Sequence, residues 1–457
     1  MRSLKQLCAR VLAVLALIML SVQPAAAQSI LRDAETEALL QEMAAPLVTA
    51  AGLENTGFKV VLINDPSLNA FVAGGQIVYI HSGLINAASS ANEVQGVIAH
   101  EIGHITGGHV IRFDEGAKAA TGISLLSLLL GVAAAAAGSG DAAMGILMAG
   151  QQAAMGKFLA FSRAQESSAD AAGATYLSKA GITGRGSVAF FKKLQNMEFR
   201  YGYTRSARGD DEFYRSHPMT ADRIQTLQDT YEKDPAWNTP LDPALEARFE
   251  RVKAKLFGYL SEAQVTFQAF PQTMTGTPAR YARAYAWHKE ALFDKALAEA
   301  DALLATAPND PYFLELKGQI LLEAGRTQDS LGPLRRATEL SNYSPLIATM
   351  FGHALIATED PTNFAEAQTV LKAAVARDRE NPFAWRQLGV IYEANGDLPR
   401  AKLASAEQQV MQLQMFQALQ NAEAAEAELP PGSPDWLRAQ DIAMQARAAI
   451  EAARERR

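Results

Sequence analysis

This sequence of 457 residues predicts an α+β fold, mainly α, in two parts. Three observations carry that reading. A pentad His100-Glu101-Ile102-Gly103-His104 sits in a helix-favouring stretch, a β-rich segment precedes it, and a repeat with spacings of 34 and 37 residues occupies the carboxy-terminal third. The first part is then a metal-site domain with a small antiparallel sheet. The second is an all-α solenoid.

Residues 1–27 read as a cleaved signal peptide outside the fold. Arg2, Lys5 and Arg10 form a positive start, Val11 to Val22 an apolar run, and Ala25-Ala26-Ala27 a small-residue cleavage site before Gln28. A retained anchor is the other reading, but the run is shorter than the ~18–20 residues that span a bilayer. Cys8, the single cysteine, precedes the apolar run and leaves with it, so the mature chain has no disulfide. The net charge is −7, and losing the leader makes it more negative. An acidic surface without basic blocks excludes nucleic acid as a partner and argues against tight docking on anionic lipid.

Residues 32–52 read as an opening helix, followed by a strand Lys59 to Asn64 and a turn at Asp65-Pro66. Gly74-Gly75 punctuates the chain before Gln76 to His81, whose Ile77, Val78, Tyr79 and Ile80 favour strand. Together these make a small antiparallel hairpin ahead of the metal helix. Its edge either holds substrate as an added strand or merely covers the core.

In the pentad, His100 and His104 project from one helix face, one turn apart, where two imidazoles can hold one zinc ion. Glu101 then reaches water at that metal. A catalytic site needs a third protein ligand and an open fourth position. His109 does not fit H-E-x-x-H-x-x-G-x-x-H, whose last histidine falls on Val110, and a continued helix turns His109 to the opposite face. A supporting or packing role suits it better. Glu166 and Asp170, at i and i+4 in an Ala-rich helical stretch, offer one carboxylate for zinc and one to accept the N–H of a ligating imidazole.

With these residues the chain resembles the HtpX- and CAAX-prenyl-protease-like gluzincin metalloendopeptidases, above all their soluble periplasmic BepA-type members with a tetratricopeptide tail. Four blocks over roughly residues 40–230 carry the resemblance. They are Asn69-Ala70-Phe71 with Gly74-Gly75 and Gly83-Leu84; His100 to His104 with His109; Arg163, Glu166, Ala169 and Asp170; and Ser216-His217-Pro218 with Arg223-Ile224. The resemblance implies a zincin-type metalloprotease domain binding one zinc ion through His100, His104 and Glu166. Glu101 is the implied general base, Asp170 supports a ligand from behind, and His217 and Arg223 belong to the cleft. Either of those two can stabilise the oxyanion, or His217 can occupy the fourth zinc position at rest. The implied setting is the periplasm, with unfolded or misassembled outer-membrane proteins as substrates. The other function class is a periplasmic chaperone or scaffold with a largely latched zinc site.

Between the two metal helices, residues 122–156 are unusually apolar but broken by Gly131, Gly138, Ser139, Gly140 and Asp141. They read as two short helices packed on the cleft as a lid, with at most peripheral membrane contact. A transmembrane hairpin is the competing reading. Asp242 to Leu260 reads as a bridging helix, and Phe270 to Pro278 as a linker. Beyond it, Pro311, Pro345 and Pro382 precede Gly318, Gly352 and Gly389 at the same two spacings. Trp385, Leu388, Gly389, Tyr392 and Ala401 reproduce the tetratricopeptide pattern W-x-x-L-G-x-x-Y…A, and Ala296 and Pro308 mark a first, degenerate copy. Such repeats stack into a solenoid with a concave peptide-binding face, the expected contact for the outer-membrane assembly machinery. The expected organisation is protease domain 28–235, bridge and linker 236–278, repeats 279–425 and a capping helix 426–457.

Overall fold

The computed structural model describes residues 29–54, 56–109, 118, 121–130, 132, 140–201, 217 and 221–455. The leader, and Ser216 and Pro218 of the Ser-His-Pro motif, lie outside them.

The chain enters as a short strand, β1 (Ser29–Leu31), then helix α1 (Ala34–Ala51), capped by Asp33, whose carboxylate accepts from the Thr36 amide at 2.8 Å. Strands β2 (Lys59–Asn64), β3 (Ala70–Ala73) and β4 (Ile77–His81) complete a four-stranded sheet in the order β1-β2-β4-β3. The sheet is mixed. Both edge pairs are antiparallel, but β2 and β4, the two strands legible in sequence, run parallel, with Val60 opposite Val78 and Leu62 opposite Ile80. The antiparallel hairpin is β3–β4, turned by Gly74-Gly75 at positive φ. β3 was missed as a strand because four residues after a proline-containing turn carry too short a pattern.

Helix α2 (Ser82–Ala87) leads into α3 (Ala91–Thr106), which bears the pentad. Ser90 caps α3 by accepting from the Glu93 amide, and the Glu93 carboxylate accepts from the Ser89 amide at 2.8 Å. Helices α4 (Gly140–Lys179) and α5 (Arg185–Tyr201) pack on α3, and α6 (Ala221–Glu232) packs on α4 and α5. The second apolar arm is therefore not a separate short helix. It is continuous with the carboxylate-bearing segment in one helix of 40 residues, about 60 Å long. Residues 121–130 are helical, and Leu125, Leu126, Leu128, Leu129 and Leu130 are exposed. No helix of the described residues is long and apolar enough to cross a membrane.

Helix α7 (Pro243–Leu260) contributes Phe249, Val252 and Leu256 to the same buried core as Leu47, Ile98 and Phe190. After α8 (Ala263–Ala269), four antiparallel helix pairs follow. They are α9 (Thr277–Lys289) with α10 (Phe293–Thr306), α11 (Pro311–Glu323) with α12 (Thr327–Leu340), α13 (Pro345–Ala357) with α14 (Phe364–Arg377), and α15 (Pro382–Ala394) with α16 (Leu398–Met411). A fifth pair, α17 (Met415–Glu428) and α18 (Pro434–Glu455), ends the stack. The repeat glycines are there for contact. A β-carbon on Gly318 or Gly352 would fall 2.4 Å and 2.5 Å from the Cγ of Leu334 and Leu371 on the second helix of each pair.

Candidate metal centre

Backbone proximity between α3 and α4 builds this centre. A β-carbon on Gly103 would sit 2.5 Å from the Ala169 carbonyl, and one on Gly173 would sit 3.1 Å from Ala99. Gly103, inside the pentad, thus lets the second helix approach closely enough to bring Glu166 and Asp170 beneath the two histidines. Phe191 of α5 supports His100 edge-on, with ring centroids 5.8 Å apart. No sequence pattern marked Phe191.

The donor atoms converge. His100 Nε2 lies 3.1 Å from His104 Nε2, and 3.5 Å separates each of these nitrogens from a Glu166 oxygen. His217 Nδ1 lies 3.3 Å from His100 Nε2 and 3.1 Å from Glu166 Oε1. Donors held about 2.05 Å from a tetrahedral zinc stand about 3.3 Å from one another, so the spacings fit that ion. Among the described residues, His100, His104, Glu166 and His217 are the group able to hold a metal, with donors within 4.8 Å of one another. All four are buried.

The surrounding residues hold these donors in orientation. Asp170 Oδ1 lies 2.9 Å from His100 Nδ1. The Arg223 guanidinium grips Asp170 through Nε and Nη2 at 2.8 and 2.9 Å and reaches Glu166 through Nη1 at 3.0 Å. Sequence placed Arg223 in the cleft as one of two candidate oxyanion donors, with His217; three of its nitrogens face these carboxylates. His109 Nδ1 lies 2.9 Å from His104 Nδ1. It does not lie on the far face, because α3 ends at Thr106 and Gly108, at a φ of 63°, turns the chain back.

Glu101 is fully buried, and neither carboxylate oxygen makes a hydrogen bond with a described residue; His217 Nε2 stands 3.6 Å from Oε1. Burial raises its pKa. Burial also disfavours charge on His100, yet hydrogen bonds to Asp170 and Glu166 outweigh it and push that imidazole up to about 10. His104, buried beside His100 and His217, is driven far down. For both Glu166 and Asp170 burial favours the neutral acid, but His217 and His100 hold Glu166, and His100 and Arg223 hold Asp170, below their ordinary range. The cluster thus draws positive charge into its centre, where a metal cation would sit.

Residues 31–231 match the profile of Peptidase family M48. The Beta-barrel assembly-enhancing protease of Escherichia coli (strain K12) is 25% identical over 398 residues, spanning 85% of this chain and 78% of that protein. The Putative beta-barrel assembly-enhancing protease of Vibrio cholerae is 28% identical over 63% of this chain and 59% of its own. Metalloprotease LoiP of Escherichia coli (strain K12) is 33% identical over 39% of this chain and 63% of its own.

Proposed function

We propose that this chain, whose residues 31–231 match the profile of Peptidase family M48, is a periplasmic zinc metalloendopeptidase that hydrolyses misfolded or stalled outer-membrane proteins during their assembly. The observation that carries the proteolytic part is the tetrahedral spacing of the His100, His104 and Glu166 donors beside the unbonded Glu101 carboxylate. The assembly part is supported by the Beta-barrel assembly-enhancing proteases, which align across both the metal-site half and the solenoid. The leader-like residues 1–27 support the periplasm.

In this reading His100, His104 and Glu166 hold zinc, which when bound supplies Lewis-acid polarisation of a peptide carbonyl and acidifies water. Glu101 accepts the water proton on a carboxylate oxygen and returns it to the leaving amine. Asp170 accepts from His100 Nδ1–H, which leaves Nε2 as the donor facing the centre. His104 Nδ1–H donates to His109 in the same way. Arg223 keeps Asp170 and Glu166 ionised and fixed. It is a positioning residue.

A second reading, a chaperone or scaffold with a latched site, is favoured by His217, whose Nδ1 stands at the fourth vertex of the donor set. Casein hydrolysis by the wild-type chain, with and without chelator and beside Glu101→Gln, separates the two. Chelator-sensitive cleavage that Glu101→Gln abolishes supports the protease. Full zinc occupancy with no cleavage of casein or of an unfolded outer-membrane protein supports the scaffold.

A further inference from the structure

The first helices of the solenoid's pairs face β1, with Tyr285, Glu315, Met350 and Phe383 opposite Ser29, Ile30 and Leu31. Arg32 and Lys59 clamp the sheet to the solenoid through Asp378 at 2.8 Å and Glu380 at 3.1 Å. Between these helices and the outer edge of β1 lies a cavity of about 570 Å³. Ile30, Tyr259, Tyr285, Met350 and Phe383 give it apolar walls. Ile30, Tyr259 and Phe383 remain 56%, 52% and 40% exposed, so the walls are apolar but open to solvent.

Two features of the cavity are unsatisfied. β1 ends the strand order and is hydrogen-bonded to β2 alone, so its outer backbone edge has no partner strand among the described residues. Of the charged groups lining it, Arg32, Asp33, Lys255 and Glu315, one has no counter-charge. Arg32 pairs with Glu37 and Asp378. Lys255 pairs with Asp33 and Glu35, and Arg251 with Glu35 and Asp310. Glu315, in the cavity lining, forms no hydrogen bond or ion pair with any described residue.

We propose that this cavity binds an extended, unfolded polypeptide with alternating apolar residues and a lysine or arginine among them, added as a strand to the outer edge of β1. Backbone pairing on an edge strand tolerates many sequences, while side chains pointing alternately to either side supply the selection. Apolar residues of the occupant meet Phe383, Met350 and Tyr285. Its cation meets Glu315 and supplies the partner that this acid lacks. Burial, with Lys255 opposing Asp33 and Glu35, holds this carboxyl up at about 8, so near neutral pH it is mostly the neutral acid and gives its proton to solvent when a cation docks. β3, the edge next to the pentad helix, lies three strand spacings away, about 14 Å. The cavity is therefore a holding site separate from the metal centre. The inference rests on the proposal that unfolded polypeptides are the substrates.

The test uses the full chain carrying Glu101→Gln and a fluorescent twelve-residue peptide of alternating valine and threonine with one central arginine. Binding is read by anisotropy, so it does not depend on cleavage. The arginine peptide is expected to bind at least tenfold tighter than its glutamine counterpart. Adding Glu315→Gln should erase that preference with zinc content unchanged. N-methylation of alternate peptide amides should weaken binding at least tenfold. A preference that survives Glu315→Gln, or N-methylation without effect, overturns the proposal. Proteolysis by the wild-type chain is measured separately, so its absence would speak against the protease reading and not against this site.

Discussion

Two buried charged clusters organise this molecule, and they are built on opposite principles. At the metal centre His100, His104, Glu166 and His217 point their donor atoms at one another, which is repulsive for neutral imidazoles and makes sense only around a cation. At the junction of the sheet, α7 and the solenoid, Glu35 is buried but satisfied from within the protein. Arg251 and Lys255 pair with it, and the Tyr281 hydroxyl donates to it at 2.7 Å. The first cluster needs something added to complete it; the second completes itself except at Glu315. Removing a member of each therefore has different consequences, in activity and metal content for one and in cohesion for the other.

The largest expected effect is at the metal centre. His100→Ala, His104→Ala and Glu166→Ala should each reduce zinc to well below one ion per chain and abolish proteolysis. Glu101→Gln should retain zinc and lose about 10³ or more in rate, because Glu101 moves a proton without holding the ion. Metal analysis of purified variants against casein cleavage checks this. Full zinc in Glu166→Ala would remove it from the ligand set.

His217 comes next. With its Nδ1 at the fourth vertex, removal should open the site, so His217→Ala is expected to raise the initial rate of casein hydrolysis with zinc retained. A loss of about 10²–10³ instead would make it an oxyanion donor.

At the junction, Glu35→Ala should destabilise by about 3–5 kcal/mol, since it leaves Lys255 and Arg251 short of a partner in a buried network. Denaturant unfolding should show a lower midpoint, while zinc stoichiometry in the folded protein stays the same. Zinc loss in the folded variant would mean that the two clusters are coupled.

The metal centre was far more legible in sequence than the junction. Its ligands His100, His104 and Glu166, with the supporting Asp170, come as i and i+4 pairs on two helices, and helical geometry translates that spacing directly into one face. His109 was misplaced because its position depends on where α3 stops, which Gly107-Gly108 signalled only weakly. Arg223 was placed in the cleft, but which carboxylates its fork would meet depends on how α6 crosses α4, and no spacing encodes that. The parallel pairing of β2 with β4 was hidden by the shortness of β3. The junction left no local trace. Glu35 and Arg251 are 216 residues apart and each reads alone as a solvated charge. Only the stacking of α7 and the solenoid against α1 buries them together.

Glu315 gives the smallest effect and the sharpest contrast between the clusters. Burial, with Asp33 and Glu35 nearby and Lys255 opposing them, raises its pKa to about 8. An acid whose folded pKa is raised favours the folded state most when protonated. Its contribution is full below the ordinary glutamate value of about 4.3 and is lost as pH rises through about 8. Glu315→Gln keeps the shape and removes the titration. The variant and wild type should therefore match in stability near pH 4, diverge between about pH 4.3 and 8 and keep a constant gap above that, with the variant the more stable. After discounting for partial solvent screening the gap should be about 1–2 kcal/mol. Denaturant midpoints at pH 4.5, 6, 7.5 and 9 on the zinc-loaded Glu101→Gln chain measure it without self-cleavage. A gap that is constant across that range would mean that Glu315 is ionised throughout, with a partner in the folded protein.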